Sequence, residues 1–447
     1  MSVIKKHISS FRLITGGFAL AILVGTILLM MPFSSRSGNF TPFMDALFTS
    51  TSAVCVTGLV VHDTATYWSI FGQAVILGLI QIGGMGVVTI AVAIAKLSGR
   101  KIGFFQRSIM QESISAHQVG GIVKLTNFIV VVTLAIEALG AVIMAPEFCS
   151  RFGILKGIWY SVFHSISAFC NAGFDLMGVE GEYSSLTSFV GSPLINITIM
   201  LLIVIGGIGF LTWNDVKVHK LKIRKYRMQS KVALSVSAVL IILPAIFFFF
   251  VEFSKGNFSH MTLGERIFAS LFHATTPRTA GFNTIDLTSL SGPGQVITVV
   301  LMLIGGSPGS TAGGLKTTTV MVLLVSAISV FNKKNNAHCF GRTISVEIIK
   351  TAGTILMMYL VLFLTGAVTI CCVENVPMNA ALFETASAIG TVGLSMGITP
   401  SLGLASRLVL IGLMYFGRVG SLTFIFAAIS KNQSSISRYP QEKITVG

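Results

Sequence analysis

The chain has 447 residues, of which 53% are hydrophobic and only 11% charged, with a mean hydropathy of +0.83. That is too little polar surface to clothe a soluble globule of this size, so the composition excludes a soluble domain and indicates an integral membrane protein. The net charge of +15 would suit nucleic acid, but 22 of the 31 Lys and Arg fall in the N-terminus, three connecting segments and the C-terminus that share one side, a positive-inside bias that places both termini in the cytoplasm and makes anionic lipid, not nucleic acid, the natural partner of the basic loops.

Lys5, Lys6 and Arg12 run directly into an apolar stretch without a small-residue cleavage site, so the first helix is expected to be retained. In chain order, apolar runs fall at 12–33, 71–95, 122–145, 192–213, 230–252, 293–330, 347–373 and 406–429. Each reaches the roughly 20 residues a helix needs to cross a bilayer. Eight spans return the chain to its starting side, in agreement with the charge bias. The expected fold is an all-α integral membrane protein with eight transmembrane helices and cytoplasmic N and C termini. The six Cys are scattered without paired spacing and read as neither a disulfide framework nor a zinc site.

Between each odd and even span, on the expected outer side, one segment recurs four times. It reads FMDALFTSTSAVCVTGL at 43–59, IWYSVFHSISAFCNAGF at 158–174, RIFASLFHATTPRTAGF at 266–282 and MNAALFETASAIGTVGL at 378–394, ending in Gly58, Gly173, Gly281 and Gly393, which lie 115, 108 and 112 residues apart. The hydroxyl-rich part is too short to cross a bilayer, so each copy is predicted to be a re-entrant pore helix followed by an extended return. Non-helical backbone at that depth is tolerated only where it is buried in protein or lines a watery cavity. The chain thus divides into four parallel repeats around one pore, at 1–95, 96–216, 217–331 and 332–447.

The even spans carry a second repeated element: IGGMG at 82–86, IGGIG at 205–209, IGGSPGSTAGGLK at 304–316 and FGRVG at 416–420. Small residues allow close helix packing, which suffices for the first two copies. The third, with its Pro and run of Gly, predicts an unwound intramembrane segment. Between spans, 214–231 and 332–346 are basic or polar, and neither is long enough for a cytoplasmic domain.

An ion crossing the membrane exchanges its hydration shell for other oxygens, and backbone carbonyls supply these without a trapping charge. Glycine permits the backbone angles that turn carbonyls inward. The candidate ion-binding loops are Cys55-Val56-Thr57-Gly58, Cys170-Asn171-Ala172-Gly173, Arg278-Thr279-Ala280-Gly281 and Gly390-Thr391-Val392-Gly393. Only the fourth keeps the T-V-G core of a potassium filter, so fewer well-formed ion sites are expected than in a symmetric channel.

On these loops and the Gly-rich break, the chain resembles the Trk/Ktr/HKT superfamily of potassium transporters over about residues 12–430, and is most similar to its KtrB-type membrane subunits. The resemblance implies potassium uptake across the plasma membrane of a prokaryotic cell, sodium-dependent, through a filter holding K+ at the four glycines. The alternative it leaves open is a channel-like cation transporter of low K+ over Na+ selectivity. It further implies a gate at Gly305, Gly306, Ser307, Pro308, Gly309, Ser310, Thr311, Ala312, Gly313 and Gly314, beside a basic residue at Arg418. It also implies a homodimer that docks an RCK-type, nucleotide-binding regulatory ring (KtrA-like or KtrC-like), with no covalent cofactor.

The buried charges carry two readings each. Arg418, midway along an apolar span, is an electrostatic barrier below the filter or an arginine tied to carboxylate or carbonyl groups. Lys316 either takes part in gating or snorkels to the cytoplasmic surface. Arg278 is expected to point away from the pore and pair with Glu384 or Asp286. His164 and His273, each following a Phe, suggest packing or hydrogen bonding, and Glu137 a counter-ion pair. An intramembrane enzyme is disfavoured, since the sequence has no H-E-x-x-H motif and no paired intramembrane Asp. Parallel repeats argue against an inverted-repeat solute carrier.

Overall fold

The computed structural model describes residues 10–97, 102–114, 120–254, 256–334, 336–420 and 442. Lys5, Lys6, the last residues of the eighth expected span and nearly all of the tail lie outside them. Among the described residues, four helices are long and apolar enough to cross a membrane: Ser10–Met30, Ile122–Phe152, Met228–Glu252 and Val346–Glu374. Each is followed by a short helix, namely Phe43–Val54, Ile154–Phe169, Leu263–Thr275 and Met378–Gly390. An extended return and a second helical segment complete each unit.

The sides of the helices are sorted inside-out relative to a soluble protein. Leu20, Val142, Leu243 and Leu364 stand exposed on the long helices, whereas the consecutive hydroxyls of Thr49, Ser50, Thr51 and Ser52 are fully buried. A broad exposed apolar surface of this kind fits lipid. Short and long helices approach closely because small residues face each other: Ser50 Oγ donates to Ile22 O at 2.7 Å and Ser165 Oγ to Glu137 O at 2.6 Å. Any side chain at Gly25 or Gly140 would strike those two hydroxyls.

Two expected straight spans are bent. The run at 71–95 breaks between Ile70–Met85 and Val87–Ile94 by 101°, and the run at 192–213 breaks between Pro193–Gly207 and Phe210–His219 by 95°. The hinge in each is the last glycine of the repeated motif, with φ +86° at Gly86 and +95° at Gly209, a conformation that L side chains rarely adopt. Close packing therefore explains only the first glycines of IGGMG and IGGIG. The third copy unwinds as expected: Gly292–Leu303 and Thr317–Phe331 are separate helices flanking 304–316. In repeat 4 the second helix runs Leu404–Val419 and Gly420 has φ +88°. A two-stranded hairpin, His338–Cys339 with Arg342–Thr343, is the only sheet among the described residues.

Candidate ion-conduction site

Each short helix stops in the same way. The residue before the loop glycine donates its N–H to the carbonyl four residues after the repeated Phe: Thr57 to Ser52, Ala172 to Ser167 and Val392 to Ser387, all at 2.8 Å, and Ala280 to Thr276 at 2.9 Å. The side chain of that acceptor residue then latches the loop. Ser52 and Ser387 accept from the N–H groups of Gly58 and Gly393 at 3.1 and 3.0 Å, while Ser167 and Thr276 donate to Phe174 O and Phe282 O at 2.7 and 2.6 Å. The third loop is one residue shorter after Thr276, where Pro277 ends the helix, yet it closes on the same hydroxyl.

Beyond the latch, the backbone repeats. Val56, Asn171, Thr279 and Thr391, each two residues before the glycine, have φ of +56°, +58°, +70° and +52°, and Gly58, Gly173, Gly281 and Gly393 have φ of +94°, +68°, +81° and +96°. Left-handed φ recurs at one register position in all four loops, and at the β-branched Val56, Thr279 and Thr391 it is strained, whereas Asn171 tolerates it. The glycines also meet in sequence around a ring: a Cβ on Gly58 would fall on the carbonyl of Ala172, on Gly173 on that of Ala280, on Gly281 on that of Val392, and on Gly393 on that of Thr57. The four predicted loops are thus brought together around one axis, in the order 1, 2, 3, 4. Gly58, Gly173 and Gly281 are buried and Gly393 is half-buried, and among the described residues the buried Thr57 and Thr391 hydroxyls have no partner; buried unsatisfied oxygens are the kind of group a dehydrated cation would engage.

The repeated glycines of the second helices seat the short helices from below. Side chains at Gly83, Gly206 and Gly417 would collide with the carbonyls of Val54, Phe169 and Ile389, the last turns of three short helices. Gly83 and Gly206 were expected only to pack helices, Gly417 was assigned no role from sequence, and the latch hydroxyls gave no signal because their Ser and Thr identities are unexceptional taken singly.

The charged residues behind the loops pair differently from expectation. Arg278 points away from the ring, but its guanidinium donates to Ser237 Oγ at 2.8 Å, with no carboxylate: Glu384 is held by Ser395, Met396 and Thr399, and Asp286 caps Thr288. Glu137 likewise has no counter-ion among the described residues. It accepts from the Gln81 amide at 3.0 Å and faces the Cys170 thiol at 3.7 Å, so it joins the second helix of repeat 1 to the second loop. His164 and His273 do hydrogen-bond, to Tyr160 O at 2.7 Å and Thr298 Oγ1 at 3.0 Å. In repeat 1, Asp45 in the first turn of the short helix bonds His62, four residues beyond Gly58, at 2.8 Å and Arg407 at 2.6 Å, which ties the return after the first loop to the second helix of repeat 4.

Cavities lie on both sides of the ring. Above it, about 360 Å³ is bounded by the four glycines together with Asp63, Asp175 and Asp286. Asp63 accepts from Ala65 N and Thr66 N at 2.9 Å and from Tyr183 N at 3.0 Å, which splices the outer segments of repeats 1 and 2. Burial pushes the Asp175 carboxyl up to about 7, and the neighbouring charge of Asp63 adds to the rise.

Below the ring sits the unwound segment. Its strands pair through Gly305 N to Leu315 O at 2.8 Å, and it is tied to repeat 2 through Ser307 N to Gly207 O at 2.9 Å and to repeat 4 through Gly314 N to Gly417 O at 3.2 Å. A Cβ on Gly313 would meet the Thr391 side chain and one on Gly314 the carbonyl of Gly390, while Gly309 abuts Ile114 O. Thr311 Oγ1 donates to Phe169 O at 3.1 Å. The segment therefore lies directly beneath the fourth loop. Arg418 donates to Thr311 O and Gly83 O, and to Gly84 O at 3.1 Å, so its guanidinium clasps the segment to repeat 1 through carbonyls. Lys316 does not reach outward: its Nζ donates back to Ala312 O at 2.8 Å and Gly313 O at 3.2 Å. A cavity of about 260 Å³ below is lined by Gly84, Gly309, Ala312, Lys316 and Arg418.

Comparison with known proteins fits this geometry. The potassium/sodium uptake protein NtpJ of Enterococcus hirae is 41% identical over 450 residues, covering 99% of this chain and 98% of that protein. The Ktr system potassium uptake protein B of Bacillus subtilis is 39% identical over 432 residues, covering 96% and 95%. The crystal structure of the potassium transporter TrkH from Vibrio parahaemolyticus superposes with a TM-score of 0.69 over 92% of this chain and 84% of that one, at 18% identity, and so shares its fold. With the TrkH family of cation transport proteins matching residues 14–439, the chain belongs to that family, as a KtrB-like membrane subunit, and is an ion transporter rather than an enzyme.

Proposed function

We propose that the chain takes up potassium through a filter formed by the four glycine loops, gated from below by residues 305–314. The observation that carries this is the closed ring of Gly58, Gly173, Gly281 and Gly393 with the unwound segment pinned under it by Arg418. Inward carbonyls replace water around a weakly hydrated cation at no cost in formal charge. The guanidinium of Arg418 opposes cation passage while its bonds hold the segment closed, so barrier and clasp are one device. The reading includes eight spans in four parallel repeats, cytoplasmic termini in the plasma membrane, sodium dependence and a homodimer.

Regulation by an RCK-type nucleotide-binding ring belongs to the same proposal. A cleft of about 900 Å³ lined by Arg224, Lys225, Arg227, Lys231 and Arg342 also touches Pro308 of the gate segment. An acidic surface docked there would bear directly on the gate. The test of the filter is potassium uptake in cells lacking their own systems. Replacing any one of the four glycines by Ser should lower uptake at limiting potassium by about tenfold or more and admit sodium, because the added side chain strikes the next loop's carbonyl. Unchanged uptake and selectivity in all four variants overturns the filter.

A further inference from the structure

One register position behind the loops differs in chemistry from repeat to repeat. The residue following the repeated Phe is Thr49, His164, His273 and Glu384 in repeats 1 to 4, and all four are buried. In repeat 4 the carboxylate of Glu384 accepts from Ser395 Oγ and Met396 N, the latter at 3.1 Å, through one oxygen, and from Thr399 Oγ1 at 2.8 Å through the other. In repeat 2, His164 Nδ1 donates to Tyr160 O at 2.7 Å, which leaves Nε2 to accept from Leu176 N at 3.4 Å. Met396 and Leu176 both stand three residues beyond their loop glycines. In repeat 3 His273 turns instead to Thr298, and the Thr284 hydroxyl, three beyond Gly281, has no partner. In repeat 1 the Thr49 hydroxyl is likewise unpartnered.

We infer that Glu384 is a positioning residue that sets ion discrimination: it clamps the outer end of the fourth loop to its own short helix, and His164 performs the weaker version of the same task in the second. Glu384 does not line the vestibule above the glycines, whereas Ser395 does. Its action on an ion therefore runs through the backbone it holds, not through direct contact. A buried carboxylate with three donors on its two oxygens fixes geometry more tightly than one neutral acceptor does. Loops 2 and 4 are held at this level, and loops 1 and 3 are held elsewhere, by Asp45 and by Arg278. This clamp thus acts along one diagonal, since loops 2 and 4 face each other in the ring order.

The inference rests on the four-loop filter, and the test separates the two. Potassium uptake is measured in competition with sodium in cells lacking their own systems, with the amount of folded protein read by detergent gel filtration. Glu384→Ala should keep maximal uptake within about twofold but reduce preference for potassium by about tenfold. Glu384→His, which installs the solution used in repeat 2, should recover part of that preference, and Thr49→Ala should change nothing. Ser395→Ala and Thr399→Val, which remove the donors instead of the acceptor, should each cause a smaller loss, and they carry the test should Glu384→Ala fail to fold. If Gly393→Ser alters selectivity while the Glu384 and Ser395 variants fold and leave it unchanged, the clamp is wrong and the filter stands. If Gly58→Ser, Gly173→Ser, Gly281→Ser and Gly393→Ser all leave uptake and selectivity unchanged, the filter itself is wrong.

Discussion

The ring and the segment beneath it are built on opposite plans. In the ring, side chains vary freely while φ signs, turn hydrogen bonds and latches recur four times. Beneath it, among the described residues, one repeat alone supplies an unwound segment, and the others contribute the surfaces it rests on: Gly206 and Gly207, Gly417 and Arg418, Gly83 and Gly84. On the proposed function, reading an ion demands equivalent oxygens from every side, which accounts for a constant backbone geometry. Blocking a path would need only one plug, which leaves asymmetry there free to accumulate. Lesions in the ring should alter which ion passes, and lesions below should alter how fast.

The strongest way to break that division is at the clasp. Arg418→Gln should raise basal flux in proteoliposomes about tenfold, since it removes a charge from the path and weakens the bonds to Thr311 and Gly83, while potassium over sodium preference stays within about twofold. A folded variant whose selectivity shifts as much as its rate would merge the two regions. A smaller effect is expected above the ring. With the Asp175 carboxyl at about 7, it is mostly ionised at pH 8 and mostly protonated at pH 6. The half-saturating potassium concentration should therefore rise about two- to threefold as pH falls across that window. Asp175→Asn should flatten this profile; a profile that persists assigns it to another group. The same raised carboxyl makes the folded state's contribution from Asp175 most favourable at low pH and lost as pH rises through about 7. The smallest effect concerns one latch: Ser52→Ala should cost about 1 kcal/mol, read as a few degrees in thermal unfolding, with three latches still in place.

Much of the fold was written in the sequence. The four glycines, the short helices before them and the unwinding at 304–316 follow from period, length and composition. The left-handed residues at Val56, Asn171, Thr279 and Thr391 did not, because three of them are β-branched residues that disfavour this φ and only Asn171 is of a type that signals it. The bends at Gly86 and Gly209 were masked by apolar runs long enough to span unbroken. Arg278 and Glu384 suggested a pair by opposite charge, but they sit behind different loops, and each finds hydroxyl or amide partners within its own repeat. The matching of His164 with His273 was visible as a shared place after Phe, while Thr49 and Glu384 went unrecognised at that place because their side chains differ.

The order of the ring bears on how the protein is made. The fourth loop meets the first at Gly393 and Thr57, Arg407 reaches Asp45, and Tyr415 donates to Thr15 O at 2.7 Å, contacts that span nearly the whole chain. Such long-range closures form late. A nascent chain halted before residue 378 lacks the fourth loop, so the ring cannot close, and Arg418 cannot clasp the unwound segment, until the fourth short helix and the helix after it have been made.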